Sequence, residues 1–199
     1  MAYREFPAEL VPNENSLILN YPSFGFTSAF TGVQQNIIHP GARWTLEMTF
    51  TMLQGRRKQM LSAFLNGMQG RVEAVKVYDH SSEGRPPMGV PTVSGDGQLG
   101  RKLLTMGWIA GQKVLSIGDQ FTVNNELKEV SEDVWSDING FATIEFNPPL
   151  RKSPPNSAPL ETEKPYMLAT LGMDGVGRTN SPAGFGSFET ITFKEAIYR

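Results

Sequence analysis

The alternation of apolar and polar positions is clearest between Ala42 and Tyr78. Trp44, Leu46, Met48 and Phe50 occupy alternate positions, which places all four on one face of an extended chain. Thr51 stands three residues before Gln54, the spacing of a helix capping box. Leu53, Met60, Leu61, Phe64 and Met68 come next at near-helical spacing, with Arg56, Arg57, Lys58, Gln59 and Asn66 mostly opposite. The pattern predicts one helix over about 52–69. Gly70 is its expected stop, because glycine enters the left-handed region at little cost. Alternation returns over Val72–Tyr78, with Val72, Ala74, Lys76 and Tyr78 on one face and Glu73, Val75 and Val77 on the other. A strand–helix–strand unit is therefore expected, the helix burying its apolar stripe against the flanking strands.

Upstream, Met1–Asn15 is polar and punctuated by proline, and Ser16–Tyr21 predicts a strand. Pro22–Gly32 carries Phe24, Phe26 and Phe30 among glycines. One reading is a bent strand or hairpin packed on the core. The other is a contact surface for a second subunit, since aromatic side chains are enriched at interface centres. Val33–Ile38 predicts a further strand, closed by His39-Pro40-Gly41.

After Tyr78 the helical period disappears. Residues 79–100 are rich in Gly, Pro and Ser, and predict a linker and then a loop. Short strands are expected at 103–106, 112–115, 119–123, 127–130 and 141–146, with turns at Asn124-Asn125 and Asn139-Gly140. Asn147-Pro148-Pro149 and Ser153-Pro154-Pro155 break the pattern and predict a second linker. Strands at 166–171 and 187–193 then flank a glycine-rich loop containing Asp174. The two linkers bracket an inserted small β-barrel or sandwich over 79–163, excisable behind a short Gly/Ser bridge. Residues 1–78 and 164–199 form the other domain.

Composition narrows the function classes. The 199-residue chain has ordinary hydrophobic content and a formal net charge of −2; its pI of about 5.7 gives no polyanion-binding signature, so no nucleic-acid partner is expected. It contains no cysteine, which removes disulfides and thiolate metal sites. No apolar run approaches the roughly 20 residues that cross a bilayer, and Met1–Leu10 lacks a signal-peptide core, so neither membrane insertion nor standard secretion is expected.

Candidate chemistry is sparse. Gly95–Gly100 matches GxGxxG, with Asp119 at the distance of a ribose-binding acid, but no long strand precedes it and Gly107 cuts short the segment after it. A loop is the expected reading. His39 and His80 lie in a turn and a linker. Glu132, Asp133 and Asp137 cluster without EF-hand spacing and predict an acidic surface loop. Trp108 and Trp135 are core or rim residues of a small β-domain, or else a platform for a sugar. No HExxH, GxSxG or Walker A pattern occurs, and no enzyme, metal or cofactor is expected.

The order of elements resembles the distal tail proteins of long-tailed bacteriophages. Ala42–Phe50 looks like the strand before the single helix of that family's first domain. Ala63-Phe64-Leu65 and Arg71–Val77 look like the helix and the strand after it. Gly107-Trp108, Leu115–Phe121 and Ile144–Arg151, with Pro148-Pro149-Leu150-Arg151 as a strand-ending turn, are similar to recurrent patterns in such tail proteins. The resemblance implies a mainly β fold with one α-helix: a split β-barrel ring domain carrying an inserted small barrel like an oligonucleotide/oligosaccharide-binding (OB) fold. It implies a structural virion protein at the phage tail tip, assembled in the bacterial cytoplasm. Six copies would close a ring joining the tail tube protein to the hub and receptor-binding proteins, with Phe24, Phe26 and Phe30 at the subunit interface. The alternative is a carbohydrate-binding module gripping host surface polysaccharide through Trp108 or Trp135.

Overall fold

The computed structural model describes residues 3–82 and 84–197. In chain order, β1 (Arg4–Glu5) precedes β2 (Glu14–Asn20), β3 (Ser23–Thr27), β4 (Gln34–Ile38) and β5 (Arg43–Thr49). Helix α1 (Gly55–Gly67) leads to β6 (Val75–Val77). Eight strands come next: β7 (Gly89–Val93), β8 (Gly100–Trp108), β9 (Lys113–Leu115), β10 (Gln120–Val123), β11 (Glu126–Val130), β12 (Val134–Trp135), β13 (Ala142–Leu150) and β14 (Leu160–Glu161). The chain finishes with β15 (Met167–Leu171), β16 (Arg178–Asn180), β17 (Gly186–Phe188) and β18 (Ile191–Glu195). The fold is mainly β, with α1 the one helix among the described residues.

The first sheet has six strands in the order β1-β6-β15-β18-β5-β2 and curls into a nearly closed barrel. Alternation along β5 turns Trp44, Leu46 and Met48 inward, joined by Phe50 just beyond the strand. Leu61, Leu65 and Met68 of the helical segment cover them. Phe6 ties strand and helix together, with its ring centroid 6.2 Å from Phe50 and 5.2 Å from Phe64, the latter edge-on. Each fully buried side chain of this size contributes about 1.5–3 kcal/mol.

The helix is shorter than the expected 52–69. Leu53 and Gly186 exchange two backbone hydrogen bonds of 2.8 Å, and Met52 before them takes a left-handed φ of 56°, so the helix cannot begin there. Gln54 occupies the N-cap without a side-chain bond, so the Thr51–Gln54 capping box does not form. The Thr51 amide instead donates to Asn13 Oδ1. Gly70 does adopt a left-handed φ of 67°, within the turn after the helix. Val72 is exposed there, and the strand begins only at Val75, with Val75 and Val77 sharing a face as the alternation predicts and that face turned inward.

The second sheet, β14-β10-β11-β13-β8-β7, comes wholly from the chain between β6 and β15. Its ends meet: Val93 N donates to Ala158 O and Ser157 N to Val93 O, both at 2.9 Å. Asn124 and Asn125, both at positive φ, form the expected tight turn between β10 and β11. Phe121 and Phe146 meet edge-on at 5.6 Å inside it.

Four local expectations change. Gly89–Val93, expected within the linker and loop, is an edge strand. Strand β13 does not stop at Pro148-Pro149 but runs to Leu150 across a register shift, where prolines are tolerated. The 187–193 strand is two strands, broken at Glu189-Thr190, and the glycine-rich loop before it contains β16, which pairs with β17. Asn139-Gly140 forms a turn held by Asp137 rather than a hairpin between paired neighbours, because β12 pairs with β9 and not with β13.

Candidate interaction surface

No charged side chain occurs between Asn15 and Ala42. Residues 23–38 of this stretch fold as a two-stranded arm, β3 paired antiparallel with β4. His39 N donates to Pro22 O at its base, and Ser28 N to Val33 O at its tip. Phe24 faces Ile37 across the arm and Phe26 faces Gln35, so these four share one side. Ser23, Gly25, Thr27, Gln34 and Asn36 lie on the other, with Ile38.

Every residue of both strands is exposed. Phe24 and Phe26 are 60% and 61% exposed, and Phe30 at the tip is 100% exposed. The segment is therefore a hairpin, as one of the two readings expects, but it does not pack on the core. An isolated two-stranded arm with an apolar side in water is unfavourable by itself. Its outer edges also lack the charges that usually discourage pairing with other chains.

The two tryptophans separate. Trp108 is 5% exposed in the second core, its indole donating to Thr105 Oγ1 at 2.7 Å, so it offers no face to a sugar. Trp135 is 63% exposed and remains available. Of Glu132, Asp133 and Asp137, the two aspartates serve the backbone. Asp133 accepts from Ile117 N at 3.0 Å, the main reason its carboxyl lies below the usual range. Asp137 accepts from Asn139 N and Phe141 N. Among the described residues no group of three or more His, Asp or Glu could hold a metal ion. Gly95 and Gly97 in the loop between β7 and β8, and Gly100 at the start of β8, all take positive φ, a turn role with no helix behind it. Asp119 pairs with Arg85 at 2.8 Å.

His39 is exposed in its turn. His80 packs against Tyr78 and Phe6, with Nε2 buried and without a hydrogen-bond partner among the described residues. Burial lowers its pKa, and Lys164 adds to that while Asp79 opposes it.

Sequence reading missed a buried charge network where the two sheets meet. Lys128 Nζ donates to Glu126 Oε2 at 2.7 Å and Pro149 O at 3.1 Å. Arg151 forks onto Glu195, with Nη1 2.9 Å from Oε1 and Nη2 on Oε2, and also reaches Ala42 O at 2.8 Å. Glu195 Oε2 accepts from Trp44 N, while the Trp44 indole donates to Leu127 O, each at 3.0 Å. Burial pushes the Lys128 ammonium down against the pull of Glu126. Burial acts the same way on Arg151, but the Glu195 bonds and the two carboxylate charges outweigh it and raise its pKa. Glu126, Lys128 and Glu195 are ordinary strand residues and Arg151 lies just beyond β13; only their inward orientation distinguishes them.

No protein-family model matches the sequence, and no curated protein matches it. Among the described residues, no helix is long and apolar enough to cross a membrane.

Proposed function

We propose that the protein is a non-enzymatic structural component of a long-tailed bacteriophage: a distal tail protein whose copies, most naturally six, close a ring between the tail tube and the hub and receptor-binding proteins. The observation that carries this reading is the uncharged arm, whose Phe24–Phe26–Ile37 side is uncovered in the isolated chain. A cyclic ring joins two different patches on each subunit, so one projecting apolar arm suits a heterologous contact. The nearly closed barrel with one helix fits the ring domain, and the inserted sheet, whose ends meet, fits a small OB-like barrel projecting outward.

The test is in the particle. Immunogold labelling should mark the distal end of the tail, and phage lacking the gene should make defective tails. Normal infectious tails without the protein, or labelling confined to the capsid, would overturn the assignment. A monomer in dilute solution is compatible with the proposal, because ring closure can be templated by the tube or hub. The competing reading is binding to host polysaccharide. It retains exposed Trp135 but loses Trp108, and glycan-array binding that Trp135→Ala abolishes would favour it.

A further inference from the structure

We propose that the network of buried Glu126, Lys128 and Glu195 with partly buried Arg151 is an orientation lock, setting the angle at which the inserted sheet stands on the barrel. This inference does not depend on the phage assignment.

The inserted sheet leaves the barrel after β6 and returns before β15. Two adjacent crossovers alone leave a body free to rotate about them. The return crossover is tied to the sheet, since Thr122 Oγ1 both donates to Tyr166 O at 2.6 Å and accepts from Tyr166 N at 2.7 Å. The network adds attachments at residues remote in sequence from either crossover. Arg151, at the end of β13, reaches Glu195 at the end of β18 and Ala42 before β5. Trp44 on β5 reaches Leu127 on β11.

The chemistry suits aiming better than adhesion. Removing two cations and two carboxylates from water costs much of what their pairing returns, and apolar residues of similar volume would hold the sheets together at least as well. Apolar contacts, however, tolerate sliding. A guanidinium forked on a carboxylate fixes both distance and plane. Glu195 also accepts from the barrel backbone at Trp44 N, and Glu126 accepts from Arg151 N at 3.2 Å. Each carboxylate is thereby held by its own sheet before it meets the other charges.

The chain has no cysteine, so spin labels can be placed cleanly at Arg57→Cys on α1 and Ile138→Cys beyond β12, both exposed positions. Pulsed electron–electron resonance on the full chain should give one narrow distance distribution. Arg151→Lys keeps the charge but loses the fork, and should broaden or shift the distribution while circular dichroism stays native. Arg151→Met with Glu195→Gln should do the same without leaving a buried carboxylate unpaired. Lys102→Met, which removes the exposed pair with Glu145, should leave the distribution unchanged. A distribution already broad in the unmodified chain would overturn the proposal. So would distributions in both Arg151 variants as narrow as the parent's and unshifted. If both variants lose the fold, the network is a stability element and the proposal is again overturned.

Discussion

Leu61 and Phe64 lie one turn apart on α1 and both belong to the stripe visible in the sequence, yet they do different amounts of work. Leu61 is fully buried, whereas Phe64 is half-buried and covers Phe6 from outside. Leu61→Ala should therefore cost about 2–5 kcal/mol, and Phe64→Ala should fall below the roughly 3–5 kcal/mol of a fully enclosed ring. Arg57→Ala should stay within about ±0.5 kcal/mol. Urea denaturation of the three variants checks the order, and equal midpoints for Leu61→Ala and Arg57→Ala would mean the helix face is misassigned. At His80 the expected signature is pH dependence. Burial lowers its pKa below 6.5, so between the folded and unfolded values the unfolded chain binds more protons. Its contribution to stability is thus present above the unfolded value and lost as pH falls through the folded one. The melting temperature of His80→Gln should fall less than that of the parent between about pH 7 and pH 5. Parallel curves would show that the ring is not held neutral in the fold.

At the scale of elements, the arm and the core strands separate cleanly. Phe24 and Phe26 touch solvent rather than the barrel, so Phe24→Ser with Phe26→Ser should leave the monomer's melting temperature within a few degrees, consistent with small surface effects. The same variant should fail to restore tails in phage lacking the gene. Full complementation would remove the arm from assembly. Strand β7, which the sequence did not show, was hidden for a local reason. Gly89–Val93 contains a proline, and Gly107 sits inside β8 at a φ of 89°. A side chain at Gly107 would place Cβ 2.3 Å from Val90 O. The glycine that reads as a break is thus the residue that lets β7 and β8 lie together.

For the whole molecule, the two sheets have their own cores but are not independent. Leu127 of the second sheet packs into the barrel core, and Glu195 of the barrel depends on Arg151. Replacing 79–163 by a Gly/Ser bridge should therefore lower the barrel's urea midpoint, by uncovering the core face on which Leu127 packs and by taking from Glu195 and the Trp44 indole their partners across the seam. Adding Glu195→Gln to that excised chain should recover part of the loss. An excised barrel as stable as the same region in the full chain would show that the seam contributes nothing to it.

The sequence by itself determined the strand–helix–strand unit, the shared apolar face of β5, the alternation of β6, the Asn124-Asn125 turn and the absence of charge along the arm. All of these are local: period, turn chemistry and composition act within a few residues. Tertiary structure decided the rest. Leu53 gave up its helical position because Gly186, distant in the chain, offered it two backbone bonds. Trp108 and Trp135 look alike in sequence, but one faces the second core and the other water. Whether the Phe24–Phe30 segment packs inward or projects depends on whether the barrel core is already filled, and Phe6, Phe50 and Phe193 fill it. The charges at the seam were least legible, because alternation marks which side of a strand a residue occupies but not what meets it there.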